Sequence, residues 1–320
     1  MTFWEKLPAP FFVQAPMEDV TDAAFRRLIA RYGKPDVMFT EFTSADGLVL
    51  APTDGKAKLL KKLLFSGSER PIVAQLFTSV PDYMAQASKM AARLGFDGID
   101  INMGCPDRAV EKSGCGAALI KNPSSARALI RAAKESGLPV SVKTRIGYNV
   151  DELDTWLREL LAERPVAVTV HARTRKEMSD VPARWDAVAR AVAIRNDAGS
   201  KTLILGNGDV KDLTDARAKA AESKCDGVML GRAIYGNPWL FMDVAHPYIP
   251  APEERVRALQ EHITLFDEIM TGVSNFATMK KHFKAYISGW DGAKELRARL
   301  METQSCEEAQ EILASAILKT

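Results

Sequence analysis

The sequence predicts an α/β protein: a (β/α)8 TIM barrel followed by a C-terminal helical domain. Three observations carry that prediction. Short apolar or β-branched runs alternate with amphipathic stretches eight times over about the first 240 residues, the rhythm of a parallel sheet with helical crossovers. The runs are near-continuously apolar, as strands buried on both faces must be. No GxGxxG follows the first run, which removes the main support for an open dinucleotide-binding sheet.

The expected strands are 12–15, 37–40, 72–76, 98–101, 140–143, 166–170, 202–205 and 227–230. Between most of them, helical periodicity predicts helices over 22–31, 83–94, 125–134, 152–162, 187–196 and 213–222. Thr21, Asp151 and Asp212 stand where N-caps belong, and Gly33, Gly95 and Gly137 just past C-termini. Residues 43–64 carry no clean helix start. Beyond Trp239 the alternation stops. Pro247, Pro250 and Pro252 form a stiff connector, with helices expected over 253–272, 275–289, 293–301 and 307–318. The expected division is 1–246 for the barrel and 247–320 for the helical domain.

Composition narrows the class. The chain has 320 residues, 47% of them hydrophobic, and 43 Lys+Arg against 41 Asp+Glu give net +2. That excludes disorder and a globally basic nucleic-acid binder, though a local basic patch fits inside a near-neutral total. No run of 18 apolar residues is present, so no membrane span is expected. The first sixteen residues place Glu and Pro where a signal peptide needs an unbroken apolar stretch. Cys105, Cys115, Cys225 and Cys306 are too scattered for a disulfide scaffold. A cytoplasmic monomer with reduced thiols is expected.

The polar residues fall where a barrel does its chemistry, at the C-terminal ends of the strands. The first strand ends in Ala15-Pro16-Met17, the second in Glu41 and the third in Gln75. The fourth runs into Asp100-Ile101-Asn102-Met103-Gly104-Cys105-Pro106. The fifth ends in Lys143 and Arg145, the sixth in His171 and Arg173. Asn207-Gly208-Asp209 and Gly231-Arg232 end the last two. Loops after those two strands are the common phosphate site of such barrels, because glycine lets backbone N–H groups approach an anion. Lys143 is either a Schiff-base lysine or a fixed charge. With a phosphate at the rim, a flavin mononucleotide would lay its ring across the barrel axis. There Lys143 would stabilise negative charge, Gln75 would offer an amide, and Ala15-Pro16-Met17 would pack beneath. A lone His171 suits binding better than acid–base work, and with no second histidine or cysteine at ligand spacing no metal is expected. Cys105, in a Gly-Cys-Pro loop at the mouth, is the candidate proton donor. Cys115 on the same long loop is its rival, while Cys225 and Cys306 suit packing.

Together these residues resemble the tRNA-dihydrouridine synthases. The likeness rests on Ala15 to Asp22 with Phe25-Arg26, and on the Asn102-Met103-Gly104-Cys105-Pro106 segment, which is highly specific. Val110, Lys112, Gly114, Gly116, Ala117 and Leu119 follow, then Lys143, Arg145, His171-Ala172-Arg173, Asn207-Gly208-Asp209 and Gly231-Arg232. The tail contributes Met279-Lys280-Lys281-His282, Tyr286, Gly289, Gly292-Ala293 and Leu296-Arg297. One departure is Met17-Glu18-Asp19, where many relatives carry a small residue; it is expected to alter the loop and not the flavin site. The resemblance implies an FMN-containing barrel, a helical tRNA-binding domain and NADPH as reductant. It implies that Ala15, Pro16, Met17, Gln75, Lys143, His171, Asn207, Gly208, Asp209, Gly231 and Arg232 hold FMN and that Cys105 is the general acid. Asn102, Arg145 and Arg173 would lie near the flavin or the target base. Hydride adding at C6 of uracil needs a proton at C5, and a base inside folded tRNA must be swung out to receive it.

Residues 251–320 hold nine Lys/Arg against eleven Asp/Glu, net −2, so the helical region is not basic overall. Within 279–299, however, Lys280, Lys281, Lys284, Lys294, Arg297 and Arg299 face only Asp291 and Glu295, net +4. With Tyr286 and Trp290 interleaved, this stretch is the expected tRNA footprint, with Lys280, Lys281 and Lys284 as contacts. The rivals are a flavin barrel acting on a free pyrimidine, a non-catalytic RNA-binding protein, and a phosphate-binding aldolase built on Lys143.

Overall fold

The computed structural model describes residues 2–242 and 247–317. Nine parallel strands form one sheet: β1 (Phe11–Gln14), β2 (Met38–Phe39), β3 (Thr43–Ser44), β4 (Ile72–Phe77), β5 (Gly98–Met103), β6 (Val140–Arg145), β7 (Ala167–His171), β8 (Leu203–Asn207) and β9 (Gly227–Leu230). Their order is β1-β9-β8-β7-β6-β5-β4-β2. The seam between β1 and β2 is closed by a parallel bridge from Val13 to Val37 and by Gln14, whose side-chain oxygen accepts from Phe39 N–H at 3.1 Å. The result is the barrel. Every expected strand is present, with ends shifted by two residues at most. The second is broken: β2 pairs with Ile72 and Val73 and β3 with Leu76 and Phe77, so two short pieces share the second position.

The crossovers are α1 (Ala23–Tyr32), α2 (Ala45–Leu50), α3 (Thr53–Lys62), α4 (Pro81–Arg93), α5 (Arg108–Lys112), α6 (Pro123–Lys134), α7 (Leu153–Ala162), α8 (Trp185–Asp197) and α9 (Leu213–Ser223). Two corrections apply to the sequence reading. The cap of α1 is Asp22, which accepts from Phe25 N–H, while Thr21 bonds Met17 instead. Residues 43–64 do contain helices, α2 capped by Ser44 and α3 begun without a side-chain cap after Pro52. Ser44 is a start signal that the sequence reading passed over, whereas α3 offers none.

Alternation along the strands builds two apolar layers. Val13, Phe39, Val73, Ala167, Leu205 and Met229 fill the barrel, with Trp4 across its lower end. Ile99, Ile101, Val142, Val168, Val170, Ile204 and Val228 point outward under the helices. Arg26, fully buried on α1, pairs with the equally buried Glu69 at 2.9 Å and donates to the carbonyls of Thr21 and Leu64.

Four helices follow: α10 (Pro252–Met270), α11 (Met279–Tyr286), α12 (Ala293–Glu302) and α13 (Cys306–Ile317). They dock on α1. Phe25 stacks on His262 of α10 at 4.8 Å and meets His282 of α11 edge-on at 4.8 Å. Burial holds both imidazoles far below their usual range, so they are neutral ring partners. Tyr32 donates to Glu261 at 2.9 Å on the same face. The expected boundary at 246 and the last residues of the final helix, from 318, lie outside the described residues.

Candidate active site

Strand parity gathers the expected residues. The inward positions of the upper barrel are Gln75, Asp100, Asn102, Ser141, Lys143, Thr169, His171 and Asn207, whose outward neighbours belong to the helix-facing core. The register sets them side by side: Gln75 against Asp100, Asn102 against Lys143, Arg145 against His171, and His171 against Asn207. A polar ring therefore caps the apolar filling. Above it opens a cavity of about 260 Å³ lined by Ala15, Pro16, Met17, Lys143, His171, Asn207, Gly208, Asp209, Gly231 and Arg232, together with Arg173, Ser179, Val210 and Met229. Of the residues expected to hold a cofactor, only Gln75 is outside this lining.

The rim after β8 and β9 suits an anion. Gly208 has φ +125°, and a Cβ there would lie 2.7 Å from Ala183 Cβ and 3.2 Å from His171 Cδ2, so no side chain fits. Asp209 is also left-handed, at φ 49°. Among the described residues, the N–H groups of Gly208, Asp209 and Gly231 bond to no ladder or turn carbonyl. The Asp209 carboxylate is bridged by Arg173 and Arg232, each at 2.5 Å, and Arg173 holds it below the usual carboxylate range. Lys143, Arg173 and Arg232 against Asp209 leave the cavity wall positive. Free N–H groups, a cradle only glycine fits and an excess of cations are what a phosphate monoester needs.

Lys143 donates to Asn207 Oδ1 at 3.3 Å, and Asn207 is fixed in turn by donating to Met229 O at 2.8 Å. Burial first, and Arg145 second, push the Lys143 ammonium down to about 8. Arg173 donates to His171 Nε2 at 3.1 Å, so that nitrogen is an acceptor and the ring is neutral with its proton on Nδ1. Burial, with Lys143 and the arginines around it, holds His171 well below its ordinary 6.5. Nε2 is therefore an acceptor at working pH, and the neutral ring is no general acid.

The two candidate thiols differ. Cys115 is buried, 2% exposed, and tied to Ser113 within its own loop. Cys105 is half-buried, on the loop leaving β5. Asn102 builds that loop: its Oδ1 accepts from Gly104 N–H at 3.2 Å and Cys105 N–H at 2.9 Å. Ala117 N–H then closes on Cys105 O at 2.9 Å. At Gly116 a Cβ would lie 2.6 Å from Cys105 O, which accounts for a glycine there. Burial pushes the Cys105 thiol up from 9.0, ahead of the opposing pull of Asp107 N–H, Lys143 and Arg145. It is protonated near neutrality.

Other expectations are placed differently. Arg145 is buried and spends its guanidinium on the carbonyls of Gly104, Thr174 and Met178, pinning the loops after β5 and β7. Arg173 likewise donates to Val181 O. Lys281 and Lys284 are exposed on α11 and Lys280 is partly so. Tyr286, expected to interleave with them, is fully buried behind His262, a correction: helical spacing turns it inward with His282 and Phe283. Trp290 lies under Arg255, 5.4 Å from its ring centre. The Met17-Glu18-Asp19 loop is tied down by a charged cluster. Glu41 accepts from Asp19 N–H, Lys62 pairs with Glu18, and Lys281 reaches Asp19 at 3.2 Å from the helical region. Sequence reasoning missed this cluster because its members are distant in the chain. It also gave no role to Ser141 or Asp100, although strand parity counted from Lys143 and Asn102 points both inward.

A parallel (β/α)8 barrel with a cationic, glycine-lined cavity at its last two strands and a protonated thiol on the loop after β5 has the architecture of a barrel enzyme with its site at the C-terminal ends of the strands. The chain matches the family model described as dihydrouridine synthase over residues 13–320. A protein of Staphylococcus epidermidis named "Probable tRNA-dihydrouridine synthase" is 40% identical over 97% of this chain and 95% of its own. "Probable tRNA-dihydrouridine synthase 2" of Bacillus subtilis is 41% identical over the same shares. The chain belongs to the dihydrouridine synthase family. Among solved structures, a morphinone reductase variant superposes with TM-score 0.54 at 14% identity, covering 78% of this chain and 91% of that one. A histamine dehydrogenase from Rhizobium gives 0.53 at 14% identity, covering 79% and 48%. At that identity the likeness is one of fold. Among the described residues, no helix is long and apolar enough to cross a membrane.

Proposed function

We propose that this chain reduces the C5=C6 bond of uridines in tRNA, with FMN held in the barrel mouth and NADPH as the reductant. The observation that carries the reading is a cationic glycine cradle whose wall includes Lys143, the ammonium that also acts on the half-buried Cys105 thiol, in a chain of this family. Gly208, Gly231 and Arg232 would hold the FMN phosphate, and Lys143 and Asn207 would face the ring, with Ala15-Pro16-Met17 packed against it. When bound, the flavin supplies the hydride for C6 of the uracil. Cys105 gives its proton to C5, and its raised pKa keeps that proton available at neutral pH. His171 stays neutral and accepts, orienting Arg173.

Residues 1–246 would be the catalytic domain and 247–320 the domain that seats tRNA, with Lys280, Lys281 and Lys284 as phosphate contacts. Its proposed place of action is the cytoplasm, where tRNA is the substrate, and its proposed state is a monomer. The test is mass spectrometry of tRNA from cells with and without the protein, mapped by position. A two-hydrogen mass gain at defined uridines that vanishes with the gene is expected. Unchanged tRNA, with activity on free orotate or uracil instead, would overturn the reading in favour of a free-pyrimidine enzyme.

A further inference from the structure

Below the cavity, four polar side chains of three adjacent strands form an unbroken chain of hydrogen bonds that ends on the thiol loop. Ser141 Oγ donates to Asp100 Oδ1 at 2.6 Å. Gln75 Nε2 donates to Asp100 Oδ2 at 2.7 Å. Asn102 Nδ2 donates to Gln75 Oε1 at 3.1 Å. Asn102 Oδ1 then accepts from the N–H groups of Gly104 and Cys105. Asp100 and Gln75 are 0% and 1% exposed, so water does not compete for these groups.

The chain has a direction, and Asp100 sets it. A side-chain amide has two orientations that differ only in which end is O and which is NH2. An ionised Asp100 accepts only, which turns Gln75 Nε2 toward it and Oε1 toward Asn102. Gln75 Oε1 can only accept, which turns Asn102 Nδ2 toward it and leaves Asn102 Oδ1 for the loop. Reversing Gln75 alone would set its oxygen against the Asp100 carboxylate and its NH2 against that of Asn102, and reversing Asn102 would set NH2 against the N–H groups of Gly104 and Cys105. We propose that Asp100 is a positioning residue for Cys105: it orients both amides in series and so holds the thiol loop in place without touching substrate or flavin. Asp100 also lies near Lys143, and a purely electrostatic role through that ammonium is the competing explanation.

The proposal rests on the reading of Cys105 as the proton donor, and its test separates the two. Asp100→Ala removes the acceptor; Asp100→Asn keeps an oxygen for Gln75 and an NH2 that Ser141 Oγ accepts, but loses the charge. Uridine reduction in tRNA and amide hydrogen exchange of the segment containing Gly104 and Cys105 are measured on the flavin-loaded protein. For Asp100→Ala, kcat is expected to fall about tenfold or more with KM for tRNA within about twofold, and exchange at Gly104 and Cys105 to accelerate about tenfold. Asp100→Asn is expected to restore both to within about threefold. Wild-type exchange in Asp100→Ala overturns the proposal. So does an Asp100→Asn enzyme as slow as Asp100→Ala, which would assign the effect to charge on Lys143. If Asp100→Ala does not fold, Ser141→Ala carries the test: loss of one anchor of the carboxylate should raise exchange about threefold, and unchanged exchange overturns it. A wild-type protein that makes no dihydrouridine defeats the proposed function while leaving the exchange comparison standing.

Discussion

The barrel mouth and the outer face of α11 both carry positive charge, and they carry it in opposite ways. In the mouth, Lys143, Arg173 and Arg232 are each bonded to a neighbouring side chain. Two of them, Lys143 and Arg173, are largely out of water. On α11, Lys284 stands in solvent, and Lys281 has one long contact with Asp19. Prepaid ordering suits a small ligand bound in one pose. Loose surface charge suits a large polyanion bound by many weak contacts, each screened by salt. The difference teaches where geometry matters and where only charge count does.

The strongest way to break this contrast lies in the mouth. Cys105→Ala should retain flavin and tRNA binding and lose turnover by about 100-fold or more, the usual weight of a general acid. Cys115→Ala should stay near wild type, because that thiol is buried in its own loop. Single-turnover reduction of tRNA by the two variants checks both; equal losses would return the choice of thiol to open. Gly208→Ala comes next. A Cβ at φ +125° and 2.7 Å from Ala183 should weaken FMN binding by roughly tenfold to 100-fold, as backbone strain of about 1–3 kcal/mol implies, measured by flavin fluorescence titration.

Acidity sharpens the same contrast. With its ammonium pushed down to about 8, Lys143 is charged below that pH and neutral above it. The reduction rate should therefore fall as pH rises through about 8, before Cys105, whose thiol is raised from 9.0, releases its own proton. A profile flat to pH 9 would remove the Lys143 charge from the mechanism. On α11, Lys280→Glu with Lys284→Glu should weaken tRNA binding several-fold and flatten its salt dependence, with NADPH oxidation unchanged, in gel shifts at two ionic strengths. Lys281 is a poorer probe because its loss also frees Asp19.

The smallest effect is at the seam between the regions. Glu41, 1% exposed and with Oε2 unbonded, is pushed up to about 8 by burial and by the acids Asp22 and Glu18. The folded protein keeps a proton that the unfolded chain releases near 4.5, so the stability it contributes is full below that pH and gone above about 8. Glu41→Gln should thus raise Tm by about 2 °C at pH 8.5 and leave it unchanged at pH 4. Equal Tm values at pH 8.5 would show that the carboxyl ionises there without cost.

Much of this was legible in the chain. The eight-fold alternation located every strand but the two-residue β3, because a buried parallel strand is apolar along most of its length whatever surrounds it. Residues at strand ends were correctly gathered, since the fold brings all such ends to one face. The sequence offered no start signal for α3, which lacks a capping side chain. It misplaced Tyr286, because counting charges along a helix does not say which side the barrel covers.

Local order along the chain was thus enough to decide the barrel, the side on which chemistry lies, and the glycines that leave room for an anion. Those follow from periodicity, strand polarity and the absence of a Cβ, properties carried by each segment alone. The difference in burial between Cys105 and Cys115 needed the folded chain. So did the use of Arg145 on carbonyls, the neutrality of His171, and the row of amides running from Asp100 to the thiol loop. Exposure, acidity and amide orientation depend on which neighbours displace water from a group, and those neighbours come from strands and loops far apart in sequence.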